Sequence, residues 1–303
     1  MSVPSHPKPA LVEWLDGRRP DVARIGGKAA SLDRLAGFGF RIPPGFCITT
    51  DAFAAQVATL AGSDRLATDP AAVLGDPATR GALVAAMIAG PLTPAVAAGL
   101  PASLHRLERD LGTDPAHPLR LAVRSSGVAE DGSTASFAGL HDTELGLTLD
   151  EVGLAVLRCW ASLWSDRAIG YRTRRGLALD GGAMAVVVQA LVPSVAAAVV
   201  FTRHPVTGRS DQILVNAAPG LGEAMVSGLV TPDTMVIDKA SRTVTEFTPG
   251  DQVGGPVLSD DALAELAALC LDVERAFGAS VDIEAALAAD GWYLLQARPI
   301  TTP

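Results

Sequence analysis

Long apolar runs are missing from this 303-residue chain. Stretches such as Met184 to Val192 are broken by polar residues well short of the roughly 20 apolar residues that cross a bilayer, so no transmembrane helix is expected. The opening MSVPSHPKPA has neither the apolar core nor the small-residue cleavage site of a secretory signal. It reads as a loose leader, and a cytoplasmic location is the expectation. Basic residues are in deficit: 24 Lys and Arg stand against 33 Asp and Glu, for a formal charge of −9 and a pI near 5.0. That balance argues against general nucleic-acid affinity, which needs an excess of cations along the phosphates. Any phosphate recognition must be local. Cysteine is scarce: Cys47, Cys159 and Cys270 are odd in number, far apart and without CxxC spacing. They predict buried free thiols rather than a disulfide frame or a zinc site. No internal repeat or low-complexity tract is evident.

Two common phosphate-binding patterns are also missing. Gly27-Lys28 could end a P-loop, but Val22 stands where that loop needs glycine and Ala29 where it needs Ser or Thr. Gly220-Leu221-Gly222 opens like a dinucleotide fingerprint, but Met225 occupies the third glycine position.

Hydrophobic residues make up 49% of the chain, enough for a substantial core, and the length suits two lobes at about 150 residues per domain. A Gly-Gly-Lys turn from Ile25 feeds a short helical pattern, followed by loop and strand around Pro43-Pro44. Residues 51–118 read as short helices carrying no recognisable chemistry. Leu119 to Arg124 alternates as a strand and runs into a Gly/Ser-rich loop. Asp150 to Arg172 predicts a helix capped by Asp150, with Trp160 and Trp164 as core residues. Strands are expected at 184–192, 195–202, 213–218 and 233–238. Ser259 should cap a helix striped by Leu263, Leu266, Cys270, Val273 and Phe277 and ended by Gly278, before strands at 281–287 and 292–298.

The last two strands are the most informative stretch. Asp282 and Glu284 share a face by the two-residue period, as do Gln296 and Arg298. A three-residue loop, Ala289-Asp290-Gly291, would pair Glu284 with Gln296 and Asp282 with Arg298, and glycine suits its left-handed third position. A two-residue turn at Asp290-Gly291 would send the pairs to opposite faces. The converged arrangement offers hard oxygen ligands for Mg²⁺ and a guanidinium fork for phosphate. Periodicity serves a solvated Asp282–Arg298 ion pair equally well. The stretch from Val123 to Thr143 places Arg124 at a strand end before hydroxyls and glycines, a composition that can aim amides at anions or simply connect two elements.

Five motifs then occur in one order: IGGKAASLDRL from Ile25, VRSSGVAEDGSTASFAG from Val123, VVFTRHPVTG from Val199, GLGEAMVSGLVTPD from Gly220, and DIE with LLQARPIT from Asp282. Together, from about Glu13 to Thr301, they resemble the ATP-binding domain of phosphoenolpyruvate synthase, pyruvate phosphate dikinase and rifampicin phosphotransferase. The resemblance implies an α/β, ATP-grasp fold of two lobes, residues 1–182 and 183–303, with the nucleotide in the cleft between them. It implies that Lys28 and Arg124 contact the phosphates, Gly139 and Thr143 line the phosphate loop, and Gln189 lies where the hinge meets adenine. Glu284 and Gln296 would hold ATP and its metal, Asp282 would support the metal, and Arg298 would bind phosphate. Lys28, Arg124 and Arg298 are the implied catalytic residues, and ATP and Mg²⁺ the implied cofactors.

Departures from the family pattern are Ser126-Gly127-Val128 in place of Ser-Ala-Thr, and Ala198 in place of glycine. None of His6, His105, His117, His141 and His204 lies in the Gly-rich, Thr-and-His context of the family's phosphate carrier. The sequence also stops three residues after the ARPI motif, before any swivelling carrier domain. The leading expectation is therefore the nucleotide half of a split phosphotransferase, passing phosphate from ATP to a histidine on a separate protein. Direct phosphorylation of a small-molecule acceptor, or ATP sensing without transfer, are the alternatives. No nucleic-acid or membrane partner is expected.

Overall fold

The computed structural model describes residues 10–112, 118–128, 143–180, 182–252 and 255–300. In chain order these form β1 (Val12–Trp14), α1 (Val22–Gly37), β2 (Gly45–Ile48), α2 (Thr50–Val57), α3 (Ser63–Thr68), α4 (Pro70–Gly75), α5 (Pro77–Ala89) and α6 (Pro94–Leu111). There follow β3 (Leu121–Gly127), β4 (Thr143–Leu147), a 3₁₀ turn at Leu149–Glu151, α7 (Val152–Ser162), α8 (Asp166–Arg174) and β5 (Met184–Ala190). The remainder is β6 (Ala196–Phe201), β7 (Gln212–Pro219), α9 (Glu223–Val226), β8 (Asp233–Asp238), β9 (Val244–Thr248), α10 (Asp260–Phe277), β10 (Val281–Ala288) and β11 (Gly291–Pro299). The class is mixed α/β with two antiparallel sheets, ordered β1-β2-β5-β3-β4 and β11-β10-β6-β7-β8-β9.

Two compact units hold one sheet each. The first takes the described residues up to Leu15, Pro20–Ala30 and Pro44–Leu191; the second takes Asp16–Arg19, Ser31–Pro43 and those from Val192 onward. Strand β5, which begins just after the lobe boundary expected at 182/183, is the central strand of the first sheet. Its run MAVVVQ is buried on both faces, which is why it lacks polar alternation.

In the first unit, Phe46, Leu121, Val123, Val186 and Val188 face a core with Val156, Trp160 and Trp164. Phe53 sits 6.1 Å from the Trp160 ring and 5.8 Å from Trp164, so both tryptophans are core residues, as expected. The predicted helix over 150–172 is instead two helices. Thr148, not Asp150, opens the first through a capping box with Glu151, and the side chain of Ser165 accepts from Ala168 N at 3.2 Å to start the second. A serine followed by Asp166 satisfies donors that a continuing helix would not leave open.

In the second unit α10 packs Leu263, Leu266, Cys270 and Val273 against Ile213, Val215, Val281 and Ile283. Its cap is the expected one: Ser259 accepts from Ala262 N, and Gly278 ends the helix in the left-handed region at φ 69°. All three thiols are free and buried, and burial pushes those of Cys47 and Cys270 above the ordinary range. Among the described residues no single helix is long and apolar enough to cross a membrane.

Candidate functional site

The first group of predicted residues gathers where α1 meets β3. Gly26 has φ 72° and ψ 172°, a conformation outside the helix around it. A Cβ there would lie 2.0 Å from the Ser126 carbonyl oxygen, so only glycine lets this turn lie against the strand. Ser126 then locks the turn in place: its hydroxyl donates to Ile25 O at 2.8 Å and accepts from Ala29 N at 3.1 Å. Lys28 is thereby held over β3, where its Nζ donates to Ser125 O at 3.1 Å. Arg124, the neighbour of Ser125, is opposite Thr143 on β4 and Val187 on β5. It leaves the sheet on the face opposite the core residues Leu121 and Val123. Lys28 and Arg124 thus reach one short stretch of β3.

Gln189 is buried and stands between Ala122 and Gly45 in the sheet. By the two-residue period it shares the face of Arg124. A Cβ on Gly45 would lie 2.4 Å from Val188 O and 2.8 Å from Gln189 Cγ, so this glycine lets β2 lie close against β5 at Gln189. Thr143 is the exposed first residue of β4. Gly139 lies outside the described residues, as do His6, His117 and His141.

The second group is on the β10–β11 hairpin. Glu284 is opposite Gln296 and Asp282 opposite Arg298, the two pairs expected, but the turn is not the expected one. Ala288 pairs with Gly291, leaving a two-residue turn of Ala289 and Asp290, and the register shifts by one between Glu284 and Ala285. Leu295 is the extra residue of a bulge. It lets Trp292 and Leu294 enter the core while Gln296 and Arg298 take the other face. Without it, strict alternation would place all four together. Ser31 secures the outer edge of β11: its hydroxyl donates to Ala297 O and accepts from Ala297 N. The sequence reading missed Ser31 and Ser126 as supports, because nothing local marks a serine whose partners are 97 or 266 positions away.

The ion pair that periodicity left open does form. Arg298 Nε and Nη2 reach the same Asp282 oxygen, Oδ2, at 2.8 and 2.7 Å. Burial pushes the Asp282 carboxyl above its ordinary range, against the opposing pull of Arg298. Among the described residues no three of His, Cys, Asp and Glu cluster as a metal site. Mg²⁺ commonly takes one or two protein ligands beside phosphate and water. Glu284 facing Gln296 is a donor set of that kind, hard in character and small in number.

Of the departures, Ala198 is absorbed by packing, its methyl buried between Ala285 and Ala217. His204 accepts at Nδ1 from Val206 N and Thr207 N, both at 3.2 Å, so that nitrogen is engaged in its own turn.

The sequence model of the pyruvate phosphate dikinase AMP/ATP-binding domain matches residues 22–253 and 239–303. The chain belongs to this family. It is similar to a rifampicin phosphotransferase of Streptomyces sp, 39% identical over 96% of this chain and 36% of that protein. It is also similar to the prodigiosin synthesizing transferase PigC of Serratia marcescens, at 37% over 97% of this chain and 33% of PigC. A phosphoenolpyruvate synthase of Pyrococcus furiosus is 30% identical over 96% of this chain and 44% of the synthase. The chain thus spans between a third and under a half of these relatives, and what it shares with them is the AMP/ATP-binding domain.

Proposed function

We propose that the chain is an ATP-grasp phosphotransferase domain that binds Mg·ATP and passes phosphate to a histidine on a separate protein. The observation that carries the reading is the hairpin: Glu284 facing Gln296 and Asp282 facing Arg298, in a chain of the dikinase AMP/ATP-binding family. On this reading Lys28 and Arg124 bind the phosphates, the Thr143 end of β4 and Gly139 line the phosphate loop, and the strand around Gln189 meets adenine. Glu284 and Gln296 would hold Mg²⁺, which supplies charge neutralisation between phosphate oxygens. Phosphoryl transfer demands little covalent chemistry of a protein. Positioning and charge neutralisation dominate, which is what Lys28 on α1, Arg124 on β3 and Arg298 on β11 can provide.

The reading puts the acceptor histidine on a partner because none of the five histidines lies in the Gly-rich, Thr-and-His context of the family's carrier. His105 is exposed, with Nδ1 2.7 Å from Pro101 O in its own helix, and Nδ1 of His204 is engaged by its turn.

A nucleotide assay on the purified chain tests the reading. AMP should form only when a histidine-bearing carrier domain is added, and that carrier should gain acid-labile phosphate. ADP formed with a small-molecule acceptor and no carrier would replace this function with a direct kinase. Mg·ATP binding without turnover under either condition would make the chain a sensor.

A further inference from the structure

The open end of the β10–β11 hairpin, where Asp282 is opposite Arg298, is held by groups that the nucleotide reading does not use. Thr202 follows Phe201, the β6 residue opposite Asp282, and is fully buried. It grips Val281 twice: Val281 N donates to Thr202 Oγ1 at 2.8 Å, and Thr202 N donates to Val281 O at 2.9 Å. The Thr202 hydroxyl donates in turn to Glu274 Oε1 at 2.9 Å. Ser280 Oγ donates to the same oxygen at 3.1 Å, and the Ser280 carbonyl accepts from Ile300 N at 2.8 Å. That last bond ties β11 just beyond Pro299, which has no N–H of its own to offer. Lys239 Nζ closes the cluster, 2.8 Å from Oε1 and 2.7 Å from Oε2 of Glu274.

Glu274 stands in the last turn of α10, where a carboxylate runs against the helix dipole. Lys239 and two hydroxyls offset that cost, and in return one carboxylate reaches both strands of the hairpin: β10 through Thr202, and β11 through Ser280. We propose that Thr202 and Glu274 are positioning residues for nucleotide binding, holding the open end of the hairpin so that Arg298 stands ready for a phosphate. The proposal rests on the Mg·ATP reading above. A guanidinium recognises phosphate oxygens through a planar fork, so its use depends on a strand that does not wander. Order present before the ligand arrives does not have to be created by binding.

The test compares Thr202→Val, which keeps the shape and loses the hydroxyl, with Thr202→Ser, which keeps the hydroxyl. Both are made in the full chain, with Mg·ATP affinity read by calorimetry and stability by urea titration. Thr202→Val should weaken Mg·ATP about tenfold, and Thr202→Ser should stay within about twofold of wild type. The Ile300 amide, followed by hydrogen exchange without nucleotide, should exchange about tenfold faster in Thr202→Val and near the wild-type rate in Thr202→Ser. Ser259→Ala is the control, since it weakens α10 at its other end: stability should fall while affinity stays, because a fold that is still populated binds as before. Wild-type affinity in Thr202→Val, or an equal loss of affinity in Ser259→Ala, would reduce the cluster to structural support and overturn the proposal. If Thr202→Val does not fold, Ser280→Ala decides in its place, since it removes one bond to Glu274 and leaves Thr202 intact: weakened binding supports the proposal, and unchanged binding overturns it. A wild-type chain that binds no Mg·ATP would defeat the parent reading, and this proposal with it, whereas wild-type binding with no loss in the variants defeats the proposal alone.

Discussion

A methyl group at position 26 would collide with the Ser126 carbonyl, and the backbone there already lies at positive φ. Gly26→Ala should therefore cost about 2 kcal/mol or more and displace Lys28 from Ser125. Urea titration measures the first effect and nucleotide calorimetry the second. Ser126→Ala removes a donor and an acceptor bond at a buried position and should cost about 1–3 kcal/mol. The motif glycine and serine were visible in the sequence, but their mutual dependence was not, since it spans about a hundred residues. At the hairpin, Glu284→Ala or Gln296→Ala each removes one hard oxygen donor from the same face. Mg·ATP affinity should fall strongly in both, with little change without Mg²⁺. Unchanged Mg·ATP affinity in both variants would remove the metal from this hairpin.

Helix α10 and the two strands after it show how far local signals reach. Ser259→Ala deletes the bond to Ala262 N and should cost the second unit about 1 kcal/mol, seen as a lower urea midpoint. The cap, the apolar stripe and the terminal Gly278 were all legible because each is a short-range device. The hairpin pairing was legible for a different reason than its geometry supplies. Glycine suggested a three-residue loop, whereas a tighter turn and the Leu295 bulge arrive at the same two pairs. A bulge answers to the core's demand for Trp292 and Leu294, which no window of a few residues contains. Strand β9 went unread because it is exposed along its whole length and so carries no apolar alternation. Strand β5 was recognised as a strand, but an apolar run does not say which sheet it joins, and its partners β2 and β3 are distant in sequence.

Across the molecule, the two cations assigned to phosphate in the first unit lie outside its apolar core. Lys28 and Arg124 are partly exposed and stand outside both cores. Lys28→Ala and Arg124→Ala should keep melting temperatures near wild type while phosphoryl transfer in the carrier-coupled assay collapses. Full turnover in both would move the chemistry elsewhere. The three thiols add a property of a different kind. Cys47 and Cys159 lie in the first unit and Cys270 in the second, none exposed to solvent. An alkylating reagent can therefore reach them only when the surrounding structure opens. Mass spectrometry of labelled peptides over time would then act as two clocks in one chain, timing the opening of each unit separately. The same inaccessibility leaves the native surface clear for one introduced cysteine, so a single fluorophore could be attached wherever a distance needs to be followed.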